Sequence, residues 1–500
     1  MKINKWIIPI LIITSLLLSA CAASTNSSTV STSEATTQST ASASANEKPE
    51  GNPPDGSKPQ GNPPDGEKPA GDPPDGNPPD GNSNGGAPGG SSSDASSYNF
   101  SGAYTVDGSN ESQSDQTYSA TGTDQSVVYV INGGKLTLQN ATITSSGDSS
   151  SSDASSFFGL NAGVLATSGS SIDLSDSNVT TTGDGANGVF ATGEGSSVTI
   201  SDTTIDCSGQ YAHAVMATLG GVLNITNVDM ITAGASSGAI ATDRGSGIIN
   251  VTSGTIRTSG DGSPGIYSTG EITVSGADIA ATGSESAVIE GSNSITLFDT
   301  SMTSSAENSK GVMIYQSMSG DAEGSEGIFT MTGGSLSYTA PGGPLFYVTN
   351  ATTAINLNAV EVSVTSGILL QAAADRWGTE GSNGGNATLT ADGQTLTGDI
   401  LADGISSLAI ILKNGSNLTG AINSDGASQS ASLTLDASST WTVTADSQLT
   451  ILEDSAGITG TTISNIIGNG FTVTYDADAN PALGGLTYTL NGGGTLTPAQ

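Results

Sequence analysis

The chain is poor in the residues that most often carry catalysis or hold metal ions. Its 500 residues include one histidine, two cysteines and 11 Lys+Arg, and aromatic residues make up 4%. The 47 Asp+Glu bring the formal net charge to −36, which repels nucleic acid and anionic membrane surfaces. Nucleic acid is therefore not expected among the partners. Such an acidic chain attracts cations, although its charge is also what a solvated surface needs to resist aggregation.

The N-terminal 21 residues have the parts of a secretion signal. A short basic start is followed by the apolar run WIIPILIITSLLL at 6–18, which is too short to span a bilayer, and then by LSAC, ending at Cys21. This order resembles the lipobox of bacterial lipoproteins. The resemblance implies that Cys21 receives a diacylglycerol and that residues before it are removed. Because residue 22 is Ala, the Asp that retains such proteins at an inner membrane is missing, which implies the outer membrane in a two-membrane envelope and an outward-facing lipid in a one-membrane envelope.

Residues 22–97 form a polar segment with almost no apolar residues beyond Ala. Pro-Pro-Asp-Gly occurs four times, starting at 53, 63, 73 and 78, between Ser/Thr-rich and Gly/Ser-rich tracts. A segment with so little to bury cannot offset its ordering entropy, so we predict a disordered linker between the lipid and a folded region. A Pro-rich ligand for an aromatic groove is the weaker interpretation, since each Asp-Gly favours a turn over a continuous polyproline helix.

The remainder of the chain repeats an alternating pattern of apolar and polar residues. Most copies begin 23 to 26 residues after the previous one, and each is accompanied by a second phrase such as GVLATSG at 163 or GIYSTGE at 265. The main copies are LTLQNATI at 136, IDLSDSNV at 172, VTISDTTI at 198, LNITNVDM at 223, INVTSGTI at 249, ITVSGADI at 272, ITLFDTSM at 295, FTMTGGSL at 329 and INLNAVEV at 355.

Three short strands per repeat, separated by turn-forming residues and without a helical period, predict an all-β parallel β-helix. Each coil has one apolar face and must stack on its neighbours to bury it. We assign the β-helix to residues 98–462, with a C-terminal β cap at 463–500, and expect roughly fifteen to seventeen coils about 4.8 Å apart. Right-handed coiling is expected from the general preference of parallel crossovers.

The last coils carry phrases of a recognisable kind. QTLTGDI at 394 and SNLTGAI at 416 share Leu-Thr-Gly-x-Ile, and Leu433-Thr-Leu, Trp441-Thr-Val and Leu449-Thr-Ile follow. Over residues 386–465 the chain resembles the passenger domains of bacterial autotransporter adhesins, which implies a role in adhesion. It departs from them at the end, where YTLNGGGTLTPAQ stands in place of a membrane barrel. The resemblance therefore leaves anchoring to the lipid on Cys21.

One column of the repeat is rich in side-chain oxygens at the bend of each coil. Asn, Asp and Gly tolerate left-handed backbone angles, so a structural role at the bend is the first interpretation. A calcium ladder is the functional alternative, with Asp176, Asp202 and Asp299 as weak candidate ligands, although Ser and Gly interrupt the carboxylates. No other cofactor is expected. The column comprises Asn140, Asp176, Asp202, Asn227, Ser253, Gly276 and Asp299.

The only other cysteine lies near the only histidine, in SDTTIDCSGQYAHAV at 201–215. The repeat places Cys207 opposite small inward-facing residues and His213 opposite varied loop residues, so we predict an inert buried thiol and not a nucleophile or metal site. With Cys21 lipidated, Cys207 has no partner in the chain for a disulfide.

Enzymatic activity is the hypothesis from a different class, because β-helices also serve as polysaccharide lyases and hydrolases. The region after the signal has only three arginines, Arg244, Arg257 and Arg376, and neither Arg244 nor Arg257 has aligned carboxylates in neighbouring coils. The sequence shows no carboxylate pair in the aromatic surroundings that a sugar ring needs. We therefore expect no catalytic residues and a low probability of a lyase or hydrolase.

These observations predict a non-catalytic lipoprotein that displays a β-helix rod at the cell surface for adhesion or ligand binding. Glycans, matrix or host proteins and surface proteins of neighbouring cells are the expected partners, besides the membrane that the lipid enters. A polysaccharide-binding module is the alternative, and aromatic residues stacked on one face would support it.

Replacement of Cys21 tests the lipid anchor. We expect Cys21→Ala to move the protein from the membrane fraction to the soluble fraction, because the acyl chains that hold it are lost. Immunoblots of fractionated cells measure this, with Cys207→Ala as the matched control that stays with the membrane. If Cys21→Ala stays in the membrane fraction like the wild-type protein, the anchor is not at Cys21.

Overall fold

The folded region is a parallel β-helix of about 16 turns. The computed structural model describes residues 94–318 and 322–499. The signal with Cys21 and residues 22–93 of the predicted linker lie outside the described residues. Within the described part of the chain, no helix is both long and apolar enough to cross a membrane.

Face A of the β-helix is a twelve-stranded sheet in which each strand pairs in parallel with the strand one coil away. It contains the GVLATSG-type phrases, in which residues alternate between the core and the outer surface. Its strands are Ser101–Asp107, Gln125–Ile131, Val164–Ala166, Val189–Thr192, Val215–Thr218, Ile240–Asp243, Ile266–Ser268, Ala287–Glu290, Val312–Tyr315, Phe346–Thr349, Ile368–Ala372 and Asp399–Ala402.

A 21-stranded sheet forms the other two faces, which we call faces B and C in chain order within each coil. Three eleven-residue strands run through the bend between them and join both faces into one sheet. The strands are Asn110–Ser114, Thr117–Ala120, Lys135–Gln139, Thr142–Ser145, Ser171–Ser175, Asn178–Thr181, Ser197–Ser201, Thr204–Cys207, Val222–Thr232, Ile248–Thr258, Glu271–Ala281, Ser294–Phe298, Ser301–Ser304, Glu326–Thr332, Ser335–Tyr338, Thr352–Asn358, Glu361–Val364, Asn386–Asp392, Ser407–Lys413, Ser430–Leu435 and Ile451–Glu453.

A nine-stranded sheet completes the C-terminal coils. It mixes parallel coil-to-coil pairs with two antiparallel pairs, one of them between Tyr488–Asn491 and Thr495–Pro498 inside the predicted cap. Its strands are Thr395–Thr397, Asn417–Thr419, Thr440–Thr442, Ser447–Leu449, Ile458–Thr459, Thr462–Ile467, Thr472–Tyr475, Tyr488–Asn491 and Thr495–Pro498.

The strand register confirms the repeat that the sequence predicts. The first residues of all nine main copies form one continuous column of paired residues, each fully or almost fully buried in the core. Aliphatic side chains stack well there because each sits directly above the equivalent side chain of the preceding coil. The column is Leu136, Ile172, Val198, Leu223, Ile249, Ile272, Ile295, Phe329 and Ile355.

Glycine occupies a column where successive coils approach too closely for any side chain. A Cβ on Gly234 would overlap the carbonyl oxygen of Gly209, and a Cβ on Gly260 would overlap that of Gly234. The same holds along Gly147, Gly183, Gly209, Gly234, Gly260 and Gly283, each against the preceding coil. These glycines set the coil spacing at the turn after face C.

One short helix, α1, which the pattern does not predict, interrupts the repeats at Ser152–Phe158. Ser151 caps its N-terminus by accepting a hydrogen bond from the Ala154 N–H, and Gly159 ends it with φ 74°. Two 3₁₀ turns, Ala95–Ser97 and Pro481–Leu483, are the other helical elements among the described residues. The helix lies in the longest interval between copies of the repeat, from 136 to 172, where the extra residues form an insertion between two coils.

The first coil has a carboxylate at an interior position, because Glu111 pairs with the buried Leu136 of the next coil. Tyr104 and Tyr118 stack with ring centroids 4.7 Å apart, and the Tyr104 hydroxyl donates to Glu111 at 2.5 Å. Desolvation, with a further contribution from this contact, raises the pKa of Tyr104 to about 12, so the hydroxyl stays a donor. The exposed end of the apolar core is therefore covered by hydrogen-bonded groups.

Alanine at Gly234 tests the close approach between coils. We expect Gly234→Ala to lower the free energy of unfolding by about 3 kcal/mol, because the backbones of two coils must separate. Chemical denaturation followed by circular dichroism measures it. Gly342→Ala is the matched control, since a Cβ at the exposed Gly342 meets no atom within 4 Å. Equal midpoints for the two variants would contradict the packing argument.

Candidate functional site

The outer surface of face A carries a second apolar cluster that is separate from the core. It begins at Tyr129 and continues through Leu165, Phe190, Met216 and Ala241, which pair one after another along the sheet. Outward positions on faces B and C are mostly polar, as in Thr199 or Asn224. Among the described coils, the outer side of face A therefore carries a continuous column of buried apolar side chains.

Helix α1 covers part of this cluster. The Thr218 hydroxyl donates to the Phe157 carbonyl at 2.8 Å, and a Cβ on Gly159 would overlap Leu165 and Phe190. The guanidinium of Arg244 lies over the Phe157 ring, 3.8 Å from its centroid, which is a favourable cation–π contact. The C-terminal end of the helix thus contacts side chains from the coils that contain Thr218 and Arg244.

The next coils carry a group of four residues that we call the tyrosine platform: Tyr267, Glu290, Tyr315 and Trp377. Both tyrosine hydroxyls donate to Oε2 of Glu290, and the distance from Tyr315 is 2.9 Å. Ser317 donates to the other carboxylate oxygen. Trp377 packs on Tyr315 with ring centroids 5.2 Å apart and an interplanar angle of 39°.

Burial keeps the two tyrosine hydroxyls of this platform protonated. Desolvation is the main cause that raises the pKa of Tyr267 and Tyr315 well above the usual range, and the Glu290 carboxylate adds to it. Both hydroxyls therefore stay protonated and hold their rings in place through Glu290, which is only 2% exposed. The rings and Trp377 keep part of their surface accessible to solvent.

A groove of about 620 Å³ lies at the N-terminal end of the same face. Its aromatic lining consists of Tyr98, Phe100, Tyr129 and Phe158, and hydroxyl groups of Ser96, Thr167, Ser168 and Thr192 line it as well. Its size is typical of ligand pockets. Among the described residues that line it, Glu194 is the only charged one.

The groove and the platform lie along one edge of the solenoid, where face A strands end and the chain turns towards face B. Thr192 and Glu290 are the last residues of their face A strands, and Leu219 directly follows one. A cavity of about 520 Å³, lined by Gln316, Asn350 and other residues, lies farther along this edge. We call this line the A–B edge.

The candidate calcium ligands lie at the bends between faces B and C, away from the A–B edge. Asp176, Asp202 and Asp299 adopt φ values of 50°, 48° and 45°, the left-handed conformation expected there. Asn227 Nδ2 donates to Asp202 at 2.7 Å, and Gln139 donates to Asp176. In the described ranges, no three His, Cys, Asp or Glu side chains form a group that could hold a metal ion. The calcium hypothesis therefore rests on the sequence alone.

The structure places Cys207 in the column that the repeat predicts. Its strand neighbours are Thr181 and Thr232, and its thiol is buried against the His213 carbonyl oxygen at 3.5 Å. Desolvation raises the pKa of Cys207 to about 12. The imidazole is engaged elsewhere, since its Nδ1–H donates to the Gly238 carbonyl at 2.9 Å. Thiol and imidazole thus do not form a nucleophile pair.

The arginines do not line a common cleft. Arg257 pairs with Asp278 on the outer surface at 2.6 Å, and Arg376 lies over Trp377 at 4.6 Å from the ring centroid. Arg244 contacts Phe157 as described above. Each guanidinium thus lies against a carboxylate or an aromatic ring of the solenoid surface.

Sequence reasoning missed the tyrosine platform. The sequence shows no carboxylate pair in aromatic surroundings and does not single out Glu290, to which two tyrosine hydroxyls donate. Continuing the GIYSTGE alignment through the strands that end at Glu290 and Tyr315 would have placed both on the outer side of face A. No repeat contains Trp377, which lies in a loop after Ile368–Ala372.

No protein-family model matches the chain, and no curated protein matches it. The geometry of the described residues is therefore the basis for the functional argument.

The single histidine predicts a pH dependence of stability. Desolvation lowers the pKa of His213 to about 4, below its ordinary value of 6.5, so its contribution is complete above pH 6.5 and is lost as pH falls towards 4. We expect the free energy of unfolding to fall by about 2 kcal/mol more between pH 7 and pH 5 in the wild-type protein than in His213→Ser. Urea denaturation at both values measures this. Equal losses of unfolding free energy in the two proteins would show that folding does not shift the pKa of His213.

Proposed function

We propose that this protein is a non-catalytic, adhesin-like surface lipoprotein whose β-helix rod binds a neutral glycan through the outer side of face A. The tyrosine platform carries this proposal. Its rings are fixed before any ligand arrives, because Glu290 accepts from both tyrosines and Trp377 packs on Tyr315. Rigid aromatic surfaces suit the apolar faces of a sugar.

The charge of the chain supports a neutral ligand over an acidic one. A formal charge of −36 opposes the approach of any polyanion. Arg244, Arg257 and Arg376 each lie against a carboxylate or a ring, where they serve the surface of the rod itself. A sugar polymer without carboxylates meets no such opposition.

A hydrolase is the second candidate, because Glu290 is a carboxylate among aromatic residues, with Asp243 close enough to raise the pKa of Tyr267. A general acid must reach the glycosidic oxygen. Glu290 is almost fully buried and accepts three hydroxyl hydrogen bonds, which suits a positioning role more than proton transfer. We therefore favour binding without turnover.

A glycan array with the full-length protein in detergent tests the proposal. We expect binding to neutral glycans, and we expect Trp377→Ala to weaken it at least tenfold, about 1.4 kcal/mol, because a central aromatic contact is lost. Phe298→Ala is the matched control, since Phe298 is 42% exposed but belongs to face B. Cys207→Ala and His213→Ser are expected to bind like the unmodified protein.

Two outcomes would contradict the proposal. Binding that depends on Phe298 and not on Trp377 would move the ligand to another face. Release of reducing or unsaturated ends from the bound polysaccharide, abolished by Glu290→Gln, would make the protein an enzyme.

A further inference from the structure

The aromatic groove shares no residue with the tyrosine platform, but it too is lined by aromatic side chains. Tyr98 and Phe158 lie with ring centroids 6.5 Å apart, and Phe100 and Tyr129 lie 6.4 Å apart. Tyr98 and Phe100 are half-buried, so their rings keep accessible surface. The groove therefore offers aromatic rings with hydroxyl groups beside them, as a saccharide site requires.

Helix α1 connects the groove with the platform. Phe158 lines the groove, whereas the neighbouring Phe157 packs under Arg244 at the next part of the edge. Arg244 directly follows the strand Ile240–Asp243, which pairs with the strand that contains Tyr267 of the platform. Groove, helix and platform thus form one continuous strip along the A–B edge.

The register gives the length of this strip. Tyr129 and Tyr267 belong to one column of face A and are five coils apart, through Leu165, Phe190, Met216 and Ala241. At about 4.8 Å per coil this separation is about 24 Å. One small sugar cannot span it, whereas a linear polymer laid parallel to the rod axis reaches both places.

On this basis we infer that the groove is a second saccharide subsite and that the ligand is a linear neutral polysaccharide bound lengthwise along the A–B edge. The inference rests on the proposed function, because it needs the platform to bind the same polymer. Charge supports the choice of occupant, since the groove adds Glu194 to an already acidic chain and thereby disfavours an acidic polymer. Two linked subsites raise affinity through effective concentration without new kinds of contact.

The test measures affinity against chain length. The probes are neutral β-linked glucan and mannan oligosaccharides of two to eight units, titrated calorimetrically into the full-length protein in detergent. We expect octamers to bind at least tenfold more tightly than trimers. We expect Tyr98→Ala to remove this gain while leaving the trimer affinity unchanged, and Trp377→Ala to weaken both. Phe298→Ala is the matched control that changes neither.

A direct probe of the groove keeps the test independent of folding defects. Because Cys207 is buried and Cys21 carries the lipid in the proposed lipoprotein, a fluorophore attached to Ser96→Cys reports on the groove alone. We expect its emission to shift with octamers and not with trimers. Thermal unfolding of Tyr98→Ala at the unmodified midpoint shows that this variant is folded.

The failures are distinguishable. Trimer binding that depends on Trp377, without any gain for octamers or any response at the labelled Ser96→Cys position, overturns the lengthwise arrangement and leaves the proposed function standing. A protein that binds no oligosaccharide of any length overturns both.

Discussion

Parallel hydrogen bonding between equivalent strands of successive coils is the constraint on which this structure depends. It fixes the coil spacing at about 4.8 Å and places each side chain directly above its equivalent in the preceding coil. Every position in the repeat must then satisfy the same steric demand many times over. Aliphatic side chains fill the inner columns, glycine occupies the close approach at Gly234 and its equivalents, and residues that tolerate positive φ occupy the bends.

The same constraint explains which features are predictable from the sequence. Inner columns such as Leu136, Ile172 and Val198 recur with the coil, so the fold and the surroundings of Cys207 follow from alignment. The residue types at outward positions of face A depend on the segments that pack over them, and these segments differ from coil to coil. Glu290 is buried because residues such as Ser317, beyond the strand repeats, pack around it. Trp377 reaches Tyr315 from a loop two coils farther along the chain, a contact that no local pattern encodes. Ser151 and Gly159 are typical helix-capping residues and could have indicated α1, but the alternating strand pattern around them dominates the sequence.

Interruptions of the repeat create the candidate site. A regular solenoid presents flat faces, and flat faces offer a ligand little enclosure. The insertion that contains α1 and the loop that contains Trp377 both fold back over face A, so the edge between them gains walls and aromatic surfaces. Glu290 then takes a role that an apolar residue cannot fill, because one carboxylate accepts from two tyrosines and fixes both rings.

The polar interior of the first coil also affects how the rod behaves towards other copies of itself. An open end of stacked parallel strands is a template for further strands, and an apolar interior would reward growth of a cross-β polymer. Here an arriving copy would have to desolvate Glu111 and disrupt its hydrogen bond with Tyr104. The first coil thus disfavours the addition of further strands at this end, and with it the end-to-end association of rods through their N-terminal coils.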